Sequence, residues 1–155
     1  MNVRPARPGE GQVLFDITAA AIRAQAGAFY SAAQLAGWMA GRDAETYEAV
    51  IARGAVQMAE ADGEVLGFVD TVPGMITRLY VRPGAMGRNL GALLLARGVA
   101  AARLGHEGPV RLEATLQAVG FYARRGFVEV SRGLFADPPG RIPVEVVNMV
   151  FYPPD

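Results

Sequence analysis

Residues 80–95, YVRPGAMGRNLGALLL, carry a pattern with chemical meaning. A strand-like run from Ile76 to Val81 stops at Pro83, a glycine-containing turn follows, and an apolar run with helical spacing begins. That order suits an anion held on backbone N–H groups at a helix N-terminus. Two letters depart from the simplest such loop: Asn89 stands where glycine would be easiest, and Met86 stands where a polar side chain would be expected. The alternative is a plain helix start with nothing bound.

Composition removes several other chemistries. All fifteen basic residues are arginine, so a lysine nucleophile or Schiff base is impossible. The chain has no cysteine and one histidine, which excludes disulfides, thiol catalysis and multi-histidine metal sites; no metal is expected. Fifteen acidic residues balance the arginines, so no overall field points to nucleic acid or an anionic membrane. The N-terminal MNVRPARPGEG has no apolar core of a signal peptide. The longest apolar run, LGALLLARGVAAARL, is interrupted by Arg97 and Arg103 and is too short to cross a bilayer. These features lead us to expect a cytoplasmic protein.

The elements that must position the loop follow from periodicity. At 155 residues and 52% hydrophobic, the chain suits a single domain spanning 1–155 with a sizeable core. Residues 2–6 suit a short strand. Val13, Ile17, Ala20, Ala21 and Ala24 give a helical pattern from Glu10 to Ala28. Ser31 and Asp43 are candidate N-caps for two further helices. Alternating segments flank Asp62-Gly63, a tight-hairpin dipeptide. MITRLYV is a strand, a helix runs from Asn89 to Leu104, and VRLEA is a strand. Thr115 is placed to cap a helix over LQAVGFYARRG, and FVEVSRGLF and PVEVVNMVFY are strands joined by the turn-rich ADPPGRI. This order predicts an α/β (α+β) fold with helices packed on a mixed sheet. The hairpin ahead of the glycine loop argues against a doubly wound dinucleotide fold.

Three segments together resemble the GNAT acyl-CoA N-acyltransferases over nearly the whole chain: ITRLYVRPGAMGRNLGALLL, LEATLQAVGFYARRGFVEV and the hairpin AEADGEVLGFVD. The second, with its Phe-Tyr and Gly-Phe, is the most specific. The resemblance implies a mostly antiparallel sheet with helices on both faces, and acetyl-CoA as acyl donor. It implies direct transfer to a primary amine of a small molecule or a protein, most simply of a small molecule, with a homodimer possible. The family loop reads Gln or Arg, two variable residues, Gly, one variable residue, then Gly or Ala. Met86 and Asn89 depart from it and Gly91 fits. Such a loop binds through backbone N–H groups, and asparagine tolerates positive φ better than other non-glycine residues. The donor site implied is Leu79, Tyr80 and Val81 along the strand edge, then Met86, Gly87, Arg88, Asn89, Leu90, Gly91 and Ala92, with Tyr122. A fold that has lost donor binding and acts by protein contact is the other reading.

The resemblance also implies roles for side chains. Tyr122 matches the tyrosine that protonates the leaving thiolate, or else is a core aromatic. Glu113 alternates with Leu112 and Ala114, so it faces the opposite surface if they face the core. There it serves as base or amine anchor, or as ion-pair partner of Arg111 or Arg78. Asp70 is a second carboxylate of the same kind on the acceptor side. Tyr30 and Trp38 are expected either to wall an apolar acceptor pocket or to pack in the core. His106, after a helix-ending glycine, suits the helix dipole rather than catalysis.

Overall fold

The computed structural model describes residues 1–85, 87–135 and 143–154. In chain order these form β1 (Asn2–Pro5), α1 (Gly11–Gln25), α2 (Ala32–Met39), α3 (Ala44–Ala52), β2 (Gln57–Ala61), β3 (Glu64–Val72) and β4 (Met75–Val81). Then come α4 (Leu90–Arg103), β5 (Val110–Thr115), α5 (Val119–Ala123), β6 (Phe127–Phe135) and β7 (Val144–Phe151). Met86 and the ADPPGRI segment lie outside the described residues.

The local signals act as read. Ser31 Oγ accepts from the Gln34 N–H and Gln34 Oε1 accepts from the Ser31 N–H, a reciprocal cap for α2. Asp43 and Thr46 do the same for α3. No side chain of its own caps α1; instead Glu48, on α3, accepts from the Gly11 N–H at 2.6 Å and pins the two helices together. Asp62 (φ 53°) and Gly63 (φ 78°) supply the pair of positive φ angles that a two-residue hairpin turn needs. One expectation changes. The long helix placed after Thr115 is a 3-10 turn at Leu116–Ala118 followed by the five-residue α5, and Thr115 makes no side-chain cap. The Leu116 N–H donates to the Tyr30 hydroxyl instead, so a tertiary contact takes over this end of the segment.

The seven strands form one sheet in the order β1-β2-β3-β4-β5-β7-β6. Neighbours run antiparallel except β4 and β5, which run parallel. Alternation sends successive side chains to opposite faces. One face packs on α4 and buries Val69, Ile76, Val81, Leu94, Leu95, Leu112, Val147 and Met149. The other meets α1, α2 and α3 through two groups, one of Leu14, Ile17, Tyr47, Met58 and Phe68, the other of Ile22, Tyr30, Trp38, Val144 and Val146. On β5, Val110, Leu112 and Ala114 are buried while Arg111 and Glu113 are exposed, so Glu113 turns away from α4 as the alternation requires. No helix among the described residues is long and apolar enough to cross a membrane.

Candidate functional site

The sheet is open where its two parallel strands meet. Register between β4 and β5 is confined to Met75 opposite Arg111, with the Arg111 N–H donating to the Gly74 carbonyl at 2.9 Å. Beyond that point a cavity of about 310 Å³ separates the strands, lined from β4, β5, α1, α5 and the start of α4. On its other edge β4 is fully occupied by β3. The Arg82 N–H donates to the Leu66 carbonyl at 2.8 Å, and Phe68 faces Tyr80 and Asp70 faces Arg78 in the same register. Antiparallel ladders alternate, so the N–H and C=O groups of Leu79 and Val81 point the other way, toward the gap.

A cradle stands at the end of β4. A 3-10 turn at Pro83–Ala85 leads to Gly87 (φ 87°) and to Asn89, which holds φ 57° and ψ 19° and N-caps α4. Asn89 therefore adopts the left-handed conformation its residue type tolerates, and its side chain makes no cap bond. The first N–H groups of α4 have no intrahelical acceptor, and they carry the positive end of a fourteen-residue helix. Gly87, Asn89, Leu90, Gly91 and Ala92 all line the cavity, while Arg88 is exposed outside the lining. At Gly91 a Cβ would lie 3.2 Å from the Phe121 ring, so the absent side chain lets α5 close onto the cradle.

Tyr122 reaches the cavity from α5, packed edge-on against Phe121 and Phe127 with ring centroids 5.2 and 5.8 Å away. Burial pushes its phenol well above the usual tyrosine range, so it keeps its proton. Tyr80 lines the cavity from β4, tilted against Phe68, and burial pushes its phenol up to about 12. Arg125 and Gln117 are among the lining residues not singled out from sequence. Arg125 lies 4.1 Å over the Phe121 ring and donates to its carbonyl, a four-residue spacing that FYARR displays. Gln117 lines the cavity, and its Oε1 is buried without a hydrogen-bond partner. Its position inside a 3-10 turn gave no signal.

Of the remaining candidates, the structure brings only Glu113 to the cavity. Glu113 forms no ion pair with Arg78 or Arg111 among the described residues; Arg78 is taken by Asp70. Asp70 is 1% exposed and its Oδ2 accepts from Thr77 Oγ1 at 2.8 Å and Arg78 Nη1 at 2.9 Å, with Arg53 Nη2 at 3.6 Å. A carboxylate so enclosed holds its neighbours rather than meeting a ligand. Tyr30 and Trp38 lie outside the lining, stacked edge-on at 5.7 Å in the buried core. The Tyr30 hydroxyl donates to the Glu145 carbonyl at 2.6 Å and accepts from the Leu116 N–H at 3.0 Å, so it ties the α1–α2 turn to β7 and to the end of β5. His106 packs against Gly74, where any Cβ would meet its ring at 2.6 Å, and is not part of the lining. Among the described residues no group of three or more His, Cys, Asp or Glu side chains could hold a metal.

Comparison with known proteins gives a consistent result. The family model described as acetyltransferase (GNAT) domain matches residues 18–137. The fold is similar to the crystal structure of a GCN5-related N-acetyltransferase, also described as a class-II aminotransferase, from Rhodopseudomonas palustris. That match has a TM-score of 0.90 and 25% identity, and covers 98% of this chain and 95% of that one. It is also similar to PaiA N-acetyltransferase from Thermoplasma acidophilum, solved with coenzyme A, at TM-score 0.76, 19% identity and 98% of each chain. YncA from Salmonella typhimurium, solved with acetyl-CoA, matches at TM-score 0.71 and 20% identity over 100% of this chain and 98% of that one. No curated protein sequence matches the chain.

Proposed function

The chain belongs to the GNAT acetyltransferase family, and on that premise we propose that it is an N-acetyltransferase moving the acetyl group of acetyl-CoA directly to a primary amine of a small molecule. One observation carries the reading. The free main-chain edge at Leu79 and Val81 runs into an uncapped helix N-terminus at Leu90, along a single cavity. An edge of that kind accepts an extended amide-bearing chain as an added strand. The N–H groups around Gly87 to Ala92 then receive the pyrophosphate. Gln117 lines the same cavity, and its side-chain oxygen is buried without a hydrogen-bond partner, a polar group that an amide N–H of the pantetheine arm would satisfy.

The residues divide the chemistry between them. Main-chain N–H groups of β4 polarise the thioester carbonyl as the amine nitrogen attacks its carbon. Glu113, directly or through water, accepts the proton the amine gives up when the C–N bond forms. As the C–S bond breaks, Tyr122 donates its proton to the departing sulfur and regains one from solvent. The rival reading, a GNAT fold that has lost its donor and works by protein contact, rests on Met86 and Asn89. The left-handed Asn89 weakens it, since the loop keeps the conformation glycine would give. Calorimetry tests the proposal. Acetyl-CoA should bind in the range of about 1–100 μM and raise Tm by linkage, while NAD and ATP do neither. A flat titration at millimolar acetyl-CoA sinks the enzyme reading.

A further inference from the structure

The cavity carries opposite charges on its two parting strands. Counting from Met75 opposite Arg111, Glu113 is two residues along β5. Arg78 is three along β4, but the β3–β4 register skips Thr77, which stands as the extra residue of a bulge. Arg78 and Glu113 thus lie at similar depth in the fork. They also share a face. Leu79 and Val81 pack toward α4 and so do Leu112 and Ala114, which leaves Arg78 and Glu113 to the other side, under Ala21, Ile22 and Gln25 of α1.

No ion pair joins Arg78 and Glu113 among the described residues, and the arginine is held in place. Arg78 gives Nη1 to buried Asp70, whose same oxygen takes the Thr77 hydroxyl and stands 3.6 Å from Arg53. Two guanidinium groups on one carboxylate leave an excess positive charge. A guanidinium has five N–H donors in a plane, and one bond to Asp70 leaves most of them. Arg78 is partly exposed, with 25% of its side chain accessible, and lines the cavity. A planar cation fixed from behind is suited to a carboxylate in front.

We propose that the acceptor is a free amino acid, its carboxylate on Arg78 and its amine at Glu113. This rests on the acetyl-transfer reading and narrows it. An amine without a carboxylate would leave the remaining donors of Arg78 with no partner from the substrate, and a polyamine would meet a like charge there. Asp70 acts as a positioning residue for Arg78.

The test is a thiol-release assay with acetyl-CoA over the twenty common amino acids, each beside its carboxamide and its decarboxylated amine. At least one amino acid should exceed both counterparts in kcat/KM by about tenfold or more, the scale of a charge-assisted bidentate contact. Arg78→Gln should bring that ratio within about threefold of unity. Arg78→Lys keeps Asp70 paired if the glutamine variant does not fold; it lacks the planar fork and should cut the ratio severalfold. Equal rates for acid and carboxamide, a preference that survives in both variants, or no accepted amino acid would overturn the proposal. Acetyl-CoA titration of the same protein separates the two levels: binding without acid preference removes only the amino-acid reading, and no binding removes acetyl transfer itself.

Discussion

The two sides of the cavity are built from different parts of the polypeptide. On the β4–α4 side the groups offered are main-chain: the outward edge of Leu79 and Val81 and the free N–H groups where α4 begins at Leu90. On the α1 side they are side chains: Arg78 held by Asp70, and Glu113 on the β5 surface. A main-chain site depends on φ and ψ, so it tolerates letter changes that preserve conformation. A side-chain site depends on identity, so single atoms matter. Variants on the two sides should therefore fail differently, in donor affinity on one and in turnover on the other.

The largest effect is expected at Tyr122, which serves the donor through a side chain and so tests the division hardest. Tyr122→Phe keeps the ring packed edge-on against Phe121 and Phe127 and removes the proton. Turnover should fall roughly ten- to a thousandfold, while acetyl-CoA affinity stays within about threefold. Because burial raises the phenol's pKa, the folded protein holds this proton at pH values where an ordinary tyrosine has lost it. The wild-type kcat profile should then show no falling limb at about pH 10. A fall there would mean that the phenol titrates as an ordinary tyrosine, whereas a loss of affinity in step with kcat in the phenylalanine variant would make Tyr122 a donor-binding residue.

Glu113→Gln removes charge and little else. Acceptor-dependent turnover should drop about tenfold or more with acetyl-CoA affinity held, as measured by steady-state kinetics and calorimetry. Unchanged turnover would leave water as the base, since Asp70 is enclosed and Tyr30 and Trp38 are away from the cavity. Tyr30 gives a control of the opposite kind. Tyr30→Phe deletes the hydroxyl between the Glu145 carbonyl and the Leu116 N–H, and should cost about 1–3 kcal/mol of stability. Acetyl-CoA affinity should be nearly unchanged, with urea unfolding as the measure. A KM effect without destabilisation would return Tyr30 to the acceptor site.

The same division explains what the sequence disclosed. Local signals were legible: the Ser31 and Asp43 caps, the Asp62-Gly63 turn, the break at Pro83, and the alternation that puts Glu113 opposite Leu112. So was the main-chain loop, because strand, turn and helix start are written in consecutive residues. Features set by distant packing were not. That Arg78 belongs to Asp70 depends on the β3–β4 register and its bulge at Thr77. The Tyr30 hydroxyl finds Leu116, 86 positions away, and that contact accompanies a 3-10 turn where helical periodicity pointed to a longer helix. Tyr30 and Trp38 were legible as a pair of aromatics, but their packing in the core rather than along the cavity was fixed by long-range contacts.

The smallest expected effect bears most directly on the main-chain claim. Asn89 sits at φ 57° and ψ 19°, a conformation that costs an L-residue some strain, least for asparagine and none for glycine. Its side chain caps nothing, so substitution there changes backbone preference and little else. Asn89→Gly should keep acetyl-CoA affinity or tighten it by a few tenths to about 1 kcal/mol, offset by the greater freedom of glycine in the unliganded loop. Asn89→Val places a β-branched residue where φ is positive and should weaken binding by about 1 kcal/mol, roughly fivefold. Neither variant should alter the preference among acceptors, because that half of the cavity is untouched. The order Gly, Asn, Val in calorimetric affinity is the signature of a cradle made by backbone conformation. Equal affinity for valine and asparagine would mean that the anion is held elsewhere, and a change in acceptor preference would mean that the two halves are coupled through the start of α4.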